Sequence, residues 1–299
     1  MKSALLFIYT ETPLHAGTGS SVSVVDLPIQ RERTTQYPIV QGSGVKGALR
    51  SQVNDPEKSY VETIFGPEEI KAQKPGHAGA VAVGEAQIVL FPVRSLAGVF
   101  AYATSPFVIA RLARLTQQAG IALPFTPPAP APPVGNALIT SNSKIIADGQ
   151  SVVLEEFSFS AQKDANCDAL ARWLANYAFP AGEEYAYWRN KVKDSLIILS
   201  DDDFRDFVVN STEITTRVRL ETATKTVASG ALWSQESLPA DALLMSAIVA
   251  RAPRGGQNGL RSAEDVLEVL GNADYLPARI QLGGDETTGQ GMVALQWVK

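Results

Sequence analysis

The apolar positions of the chain fall into short runs that are typical of strands, with a few stretches of helical spacing. The continuous apolar run over residues 4–9 predicts a buried strand over 5–12, and a later run predicts a final strand over 292–298. One apolar and one polar face over residues 106–118 predict an amphipathic helix, with Gly120 as its C-terminal cap. This mixture of elements indicates an α+β domain with a largely antiparallel sheet.

The segments between these elements carry their own signals. The polar stretch over residues 13–36 is too long for a tight turn and predicts a functional loop, after which a short strand is expected over 37–40. A glycine-rich turn over 42–47 leads into helical spacing over 45–53, and two alternating stretches over 79–92 predict a strand pair bent at Gly84. Threonines and cations interleaved with apolar residues over 215–230 predict a projecting hairpin. Residues 124–133, dense in proline and alanine, predict an extended connector, either between two domains or inside one.

Composition limits the chemistry that is available. Cys167 is the only cysteine, and His15 and His77 are the only histidines, which excludes disulfides, thiolate zinc sites and histidine-rich metal clusters within one chain. Any metal that takes part must be held by carboxylates and phosphates, which favours Mg²⁺ or Mn²⁺. No stretch approaches the roughly 18 apolar residues that span a bilayer, and no signal peptide is recognisable, so a cytoplasmic protein is expected.

The distribution of charge matters more than its sum. The formal net charge of −5 argues against nucleic-acid binding, but binding depends on the local potential. Between residues 28 and 50 the cations are opposed only by Glu32; they are Arg31, Arg33, Lys46 and Arg50. Composition alone therefore leaves RNA binding open without predicting it.

Two glycine-rich motifs offer candidate binding sites. Residues 42–47 match G-x-G-x-x-G and are typical either of a dinucleotide-binding turn or, more generally, of backbone N–H groups that receive a phosphate beside Lys46. A nucleotide-dependent enzyme would need a parallel βαβ unit around this turn. The second motif, over 283–291, is no Walker A sequence, and Asp285 and Glu286 would repel a phosphate there.

Two polar residues near the N-terminus are candidates for chemistry. His15 is a possible general base or phosphate ligand, although a lone histidine after a strand is more often structural. Asp26 lies in the long polar loop, just before Arg31 and Arg33. From the residues alone it is a solvated carboxylate.

Four segments in the same order along the chain resemble the RAMP-superfamily backbone subunits of type III-B (Cmr) CRISPR effector complexes. They are residues 12–19 together with 25–32, 42–50, 230–239 and 283–291. The resemblance implies one domain over residues 1–299, a modified RRM-like (ferredoxin-like) palm with insertions and a β-hairpin thumb around 215–230. Residues 124–133 would then be an insertion inside that domain.

The resemblance also implies a function. Such subunits stack into a helical filament along guide (CRISPR) RNA, and each thumb kinks the duplex of guide and complementary target RNA at regular intervals. The partners would be both RNAs, further copies of this chain and other Cmr subunits. The catalytic aspartate of the family falls on Asp26, which would either position a divalent cation shared with RNA phosphate or accept a proton. His15 and Glu236 are secondary catalytic candidates, carried by their place in matching motifs.

The same resemblance assigns RNA-binding positions. Lys46 and Arg50, one helical turn apart, and Gly44 between the glycines of the motif are expected to bind the guide backbone. Thumb contacts are expected from Arg217 and Arg219, and C-terminal loop contacts from three glycines, namely Gly283, Gly284 and Gly289. The alternatives are a non-catalytic guide-RNA scaffold, a backbone subunit of a related type III complex, or the nucleotide-dependent enzyme described above.

Overall fold

The structure, a computed structural model, describes residues 1–20, 24–55, 60–68, 76–254 and 259–299. None of the helices within these ranges has the length and apolar character needed to cross a bilayer. The α-helices of the described residues are α1 Gly42–Ser51, α2 Val61–Phe65, α3 Pro106–Gln118, α4 Ala165–Tyr177, α5 Ala186–Ser195, α6 Asp201–Asn210 and α7 Ala263–Leu270. The strands are β1 Lys2–Thr10, β2 Ile39–Val40, β3 Val81–Val83, β4 Ala86–Arg94, β5 Phe100–Thr104, β6 Asn136–Ile139, β7 Ile146–Asp148, β8 Ser151–Leu154, β9 Phe157–Lys163, β10 Leu196–Leu199, β11 Glu213–Leu220, β12 Val227–Ser237, β13 Leu243–Ala250, β14 Arg279–Gln281 and β15 Met292–Val298.

Thirteen of these strands form one mixed sheet. Its order is β14–β15–β1–β13–β4–β5–β10–β6–β9–β8–β7, with β2 added to β4 and β3 added to β13. Among the described strands of this sheet, parallel pairing occurs only between β5 and β10 and between β6 and β9. The predicted α+β class with a largely antiparallel sheet is therefore confirmed.

Strand β1 is buried on both faces, which explains its continuous apolar run. Leu6 and Ile8 point into the core cluster that contains residues of α1 and α7, whereas Phe7 and Tyr9 point into the cluster that contains residues of α3 and α4. Phe7 packs edge-on against Trp173, with ring centroids 6.0 Å apart. Burial of each such side chain stabilises the folded state by roughly 1.5–3 kcal/mol. Strand β1 therefore contributes strongly to the stability of the sheet.

Several predicted elements lie where the sequence places them. The helix over 106–118 is α3, with Ser105 as its N-cap and Gly120 at positive φ just beyond its end. The final strand is β15, with the predicted bounds. The first strand begins three residues before its predicted start and ends two residues before its predicted end. Residues 124–133 contain neither helix nor strand, as expected of an extended connector.

The predicted glycine-rich turn over 42–47 is wrong, because these residues are the first turns of α1. The helix begins at Gly42, where the backbone crosses the chain after β3 so closely that a Cβ atom would lie 2.5 Å from the carbonyl oxygen of Val83. The strands before and after α1, β2 and β4, pair antiparallel. This arrangement is not the parallel βαβ unit that a dinucleotide-binding turn requires, and it opposes the nucleotide-dependent alternative.

The stretches over 79–92 form two strands, β3 and β4, with Gly84 between them. They do not pair with each other as predicted; both pair with β13. The backbone N–H of Gly84 donates to the carbonyl of Ala247 in that strand at 2.9 Å. The chain thus follows β13 in two successive segments, with β3 opposite residues 248–250, β4 opposite residues 243–245 and Gly84 between them.

Strands β11 and β12 form a separate two-stranded antiparallel sheet. Their register runs from Glu213 opposite Ser237 to Leu220 opposite Val227, with an irregularity before Leu220. The hairpin is longer than the predicted 215–230, because β12 continues through Ser237. Nearly every residue of β11 is exposed, so this hairpin takes little part in the main core.

Candidate active site and nucleic-acid interface

The N-terminal loop, residues 13–36, runs along the edge of β12 that β11 leaves free; its residues 21–23 lie outside the described residues. Leu14 exchanges two backbone hydrogen bonds of 2.8 Å with Leu238. Farther along the loop, Leu27 donates to the carbonyl of Ser234 at 3.1 Å and accepts from the N–H of Glu236 at 3.0 Å. A strand edge with unpaired backbone groups favours such additions. The loop is consequently fixed to β12 at two separate points.

The N-terminal loop has two arms, residues 13–20 and residues 24–36, and these arms also pair with each other. Gln30 N–H donates to the carbonyl of Ala16 at 2.8 Å, and Thr18 N–H donates to that of Pro28 at 3.2 Å. Gly17 and Ile29 form an antiparallel bridge between these bonds. The start of the second arm, where Asp26 lies, is therefore held by backbone contacts on two sides.

Asp26 is attached to a single residue of β12. Its Oδ2 accepts a hydrogen bond from the backbone N–H of Ser234 at 2.7 Å and another from the Ser234 hydroxyl at 2.8 Å. These two bonds, the backbone one first, lower the pKa of the exposed Asp26 carboxyl below its ordinary value. Asp26 is thus a carboxylate at neutral pH, and its Oδ1 makes no hydrogen bond with the described residues.

His15 is held beside the same strand. Its Nδ1 lies 2.6 Å from the carbonyl oxygen of Glu236, to which a protonated Nδ1 donates. In the neutral imidazole this leaves Nε2 as an acceptor. The ring is half-buried and closely packed, since a Cβ atom on Gly17 would lie 2.6 Å from Nε2. Because Ser234 and Glu236 are two residues apart on one strand, the anchors of Asp26 and His15 are about 7 Å apart.

Glu236 is the most enclosed of the three catalytic candidates. Its Oε1 accepts from Arg31 at 2.5 Å and from the Thr212 hydroxyl at 2.8 Å, and its Oε2 accepts from the backbone N–H of Ile29 at 3.0 Å. Only 8% of the side chain is exposed. These contacts fix the second arm of the loop, so the geometry favours a structural role, and the catalytic assignment of Glu236 stays a prediction.

The C-terminal glycine-rich loop packs against the N-terminal loop. Gly284 N–H donates to the carbonyl of His15 at 2.9 Å, and Gly291 N–H donates to that of Pro13 at 2.9 Å. Gly283 has φ +85°, and a Cβ atom there would lie 2.5 Å from the His15 carbonyl oxygen, so close approach requires glycine. Gly289 faces open space. RNA binding by Gly283, Gly284 and Gly289 stays a prediction.

Asp285 ties this loop to the hairpin. Its carboxylate accepts from the side-chain amide of Gln235 and lies 3.3 Å from a guanidinium nitrogen of Arg217. Asp285, which would repel a phosphate, therefore binds Gln235 and Arg217 of the hairpin. Arg217, predicted to contact RNA, is paired within the chain, whereas Arg219 is exposed and has no ion pair among the described residues.

A second region gathers cations that are far apart in the sequence. A cavity of about 490 Å³ is lined by Lys46, Arg251, Arg254 and His77, and none of the described residues that line it is acidic. Burial, and secondarily Arg50, lowers the pKa of Lys46. Within a chain of net charge −5, these cations make the cavity a candidate site for anions. Sequence reasoning missed both arginines of the 251–254 segment, whose only signal was two cations before a glycine-rich stretch.

The other two guide contacts predicted on α1, Arg50 and Gly44, differ in their surroundings. Arg50 lies one turn from Lys46, as predicted, but its guanidinium donates to the carbonyl of Gly66 at 2.5 Å. It also lines a neighbouring cavity of about 310 Å³ together with Glu62. Gly44 is exposed and leaves room for a ligand beside the helix. Lys46 is therefore the better placed of the two cations to receive an anion.

The family follows from comparison with known proteins. The RAMP superfamily profile matches residues 7–294, and the chain belongs to this superfamily. The CRISPR system Cmr endoribonuclease Cmr4 of Pyrococcus furiosus is 41% identical over 298 residues, covering 98% of this chain and 95% of the relative. The CRISPR system CMR subunit Cmr4 of Saccharolobus solfataricus is 28% identical over 311 residues, covering 98% and 95%. The predicted resemblance is therefore confirmed.

Solved structures share the fold. Oligomeric Cmr4 from Pyrococcus furiosus superimposes with a TM-score of 0.73 at 32% identity, covering 99% of this chain and 98% of that one. A type III-B Cmr-beta complex bound to cognate target RNA contains a chain with a TM-score of 0.73 at 21% identity, covering 99% and 97%. At that identity the second match supports the fold alone.

Proposed function

We propose that the protein is a repeating backbone subunit of a type III-B CRISPR ribonucleoprotein that binds guide RNA and cleaves complementary target RNA. The observation that carries the proposal is the 41% identity, over almost the full length of both chains, to a Cmr endoribonuclease. The ionised Asp26 carboxylate at the base of the hairpin supports the cleaving role. Further copies of the chain and other Cmr subunits would complete the complex.

We infer an RRM-like palm from the order of elements. The chain order β1–α1–β4–β13–α7–β15 and the sheet order β15–β1–β13–β4 match a ferredoxin-like βαββαβ unit. Everything between β4 and β13 is then an insertion, which includes the hairpin that we propose as the thumb. Helices α3 and α4 cover one face of β1, so RNA would bind at the edges of this palm rather than across that face. The assignment of one domain to residues 1–299 stays a prediction.

The proposed guide contacts are electrostatic. Lys46, Arg251 and Arg254 line a cavity to which the described residues contribute no carboxylate, which suits the phosphates of an RNA backbone. Such contacts carry no sequence information, in agreement with a guide that supplies specificity by base pairing. Arg219 on the exposed strand β11 is the proposed contact of the thumb.

The proposed chemistry is intramolecular transesterification. A kink in the duplex releases one nucleotide from helical geometry, so that its 2′-hydroxyl can align with the adjacent phosphorus. The 2′-hydroxyl loses its proton and its oxygen attacks phosphorus while the bond from phosphorus to the 5′-oxygen breaks. The departing 5′-oxygen takes up a proton from solvent, which leaves a 2′,3′-cyclic phosphate and a 5′-hydroxyl. A carboxylate with a lowered pKa is a weak base, which favours Asp26 as the group that orients the reacting atoms. Nε2 of His15 makes no hydrogen bond with the described residues and is the proposed proton acceptor.

A divalent cation, Mg²⁺ or Mn²⁺, is part of the proposal. Among the described residues no group of three or more His, Cys, Asp or Glu side chains could hold a metal ion. Mg²⁺ commonly binds through one or two carboxylates together with substrate phosphates, and Asp26 with an RNA phosphate fits that pattern. When bound, the ion would stabilise negative charge on the phosphorane.

Reconstitution of the complex with a labelled complementary RNA tests this function. We expect cuts at regular intervals, one for each copy of the subunit. Guide binding without any cleavage would support the scaffold alternative, and failure to bind guide RNA would contradict the whole assignment. The expected cytoplasmic location stays a prediction.

A further inference from the structure

We propose that Ser234 is the positioning residue of the cleavage site, fixing the Asp26 carboxylate in the orientation that it needs to act. The inference rests on the proposed function, because it assigns a role relative to Asp26. It goes beyond that function by placing the control of the site in the hairpin strand β12. Ser234 itself needs no contact with RNA.

The contact between the two residues is reciprocal. The Ser234 N–H and hydroxyl both donate to Oδ2 of Asp26, at 2.7 and 2.8 Å. In return, the backbone N–H of Asp26 donates to the Ser234 Oγ at 3.0 Å. Three hydrogen bonds between two residues fix both the backbone and the carboxylate plane of Asp26. Oδ2 accepts two of these bonds, whereas Oδ1 makes none with the described residues and is available to RNA, water or a cation.

This clamp matters because, among the other described residues, Ser234 supplies the hydrogen bonds that the Asp26 side chain accepts. The side chain is exposed. An unrestrained aspartate samples several rotamers, and only some of them point Oδ1 in a given direction. Catalytic groups must be held close to their productive geometry, and a supporting hydrogen bond is the usual means.

The position of Ser234 also connects the site to the hairpin. The next two residues of β12 hold neighbouring parts of the site, since Gln235 donates to Asp285 and Glu236 receives Ile29 N–H. On its other side Ser234 faces Thr216 of β11. A displacement of the hairpin by bound RNA would therefore carry the Asp26 carboxylate with it.

The expected fall in the cleavage rate follows from the hydrogen bonds that a substitution of Ser234 removes. Ser234→Ala deletes both bonds of the hydroxyl, the one to Oδ2 and the one from the Asp26 N–H, but keeps the backbone bond to Oδ2. Hydrogen bonds to charged groups correspond to roughly a 10- to 100-fold effect, so loss of one of the two bonds to the carboxylate predicts about a tenfold fall in the cleavage rate. Ser234→Thr keeps the hydroxyl and suits a strand, so it is expected to restore most of the rate.

The test compares single-turnover cleavage by assembled complexes at several target concentrations. Thr216→Ala serves as the matched control, because it removes a hydroxyl directly opposite Ser234 on the same hairpin. We expect Ser234→Ala to lower the saturated rate about tenfold while the half-saturating target concentration and the cut positions stay unchanged. Ser234→Thr and Thr216→Ala should cleave near the wild-type rate.

Each contrary result has a distinct meaning. Cleavage at the wild-type rate by Ser234→Ala, alongside loss of cleavage in Asp26→Asn, would overturn the positioning role alone. Equal losses in Ser234→Ala, Ser234→Thr and Thr216→Ala would overturn it as well, since they would indicate a general disturbance of the hairpin. Unchanged cleavage by Asp26→Asn would overturn the proposed catalytic function and this inference with it.

Discussion

Replacement of Glu236 by alanine separates its structural role from a catalytic one. The carboxylate lies almost entirely inside the protein, where it receives Arg31, the Thr212 hydroxyl and the Ile29 N–H. Truncation leaves the half-buried Arg31 without its counter-ion and leaves the buried Ile29 N–H without an acceptor. The prediction is a large loss of stability that accompanies any loss of cleavage.

The expected size follows from these partners. Breaking a buried ion pair by removing one member costs about 3–5 kcal/mol. Arg31 keeps its bonds to the carbonyls of Gln36 and Val208, at 2.9 and 2.8 Å, which favours the lower end. The stranded Ile29 N–H adds its own desolvation penalty, on the order of 1–3 kcal/mol, although the two costs are not strictly additive. A fall of about 3–5 kcal/mol in the free energy of unfolding is therefore expected.

Urea denaturation of the full chain measures this quantity. Glu156→Ala is the matched control, because Glu156 is exposed, and its substitution should change the free energy of unfolding by no more than about 0.5 kcal/mol. If Glu236→Ala unfolded at the same urea concentration as the wild type while its complex failed to cleave RNA, the structural account would be refuted. Glu236 would then belong among the catalytic residues.

Two further predictions concern charge. Single alanine substitutions of Arg251 and Arg254 should weaken guide binding and reduce the slope of log affinity against log salt by about one each. Filter binding over a salt series measures this slope. An unchanged slope would contradict phosphate contact in the cavity that Lys46, Arg251 and Arg254 line. Because the Ser234 bonds lower its pKa, the Asp26 carboxyl should be protonated only at a pH below the ordinary aspartate range. Any stability that these bonds give the folded protein is present above the pKa of the unfolded state and is lost as the pH falls through the lower pKa of the folded state. Carboxyl-carbon NMR titration, assigned with Asp26→Asn, checks this, and a midpoint above the ordinary range would exclude the observed bonding.

Local sequence patterns predicted those elements whose defining signals lie within one short stretch of the chain. Helix α3 has its apolar stripe, its Ser105 cap and its terminal Gly120 within one short stretch, and its bounds match. Strand β15 is likewise bounded by a glycine-rich loop on one side. The segment over 42–47 was misjudged because glycines usually interrupt helices, whereas here Gly42 is required by close approach to Val83.

The candidate site depends on contacts that no local pattern contains. Asp26 and Ser234 are 208 residues apart, and the Arg217 partner Asp285 belongs to another loop. Resemblance to a family placed Asp26 in the site, but it gave no reason to single out Ser234. The two arginines of the 251–254 segment reach Lys46 because β13 ends beside β3, and β3 packs against α1.

The most direct test of the account compares the wild-type complex with one that contains Asp26→Asn. Asparagine keeps the size of the side chain and removes its charge, so the filament and its guide should form unchanged. We expect the regularly spaced cuts in a labelled complementary RNA to disappear, while guide and target binding stay at the wild-type level. Undiminished cutting at the same positions by the Asp26→Asn complex would contradict the central claim that this carboxylate performs the cleavage.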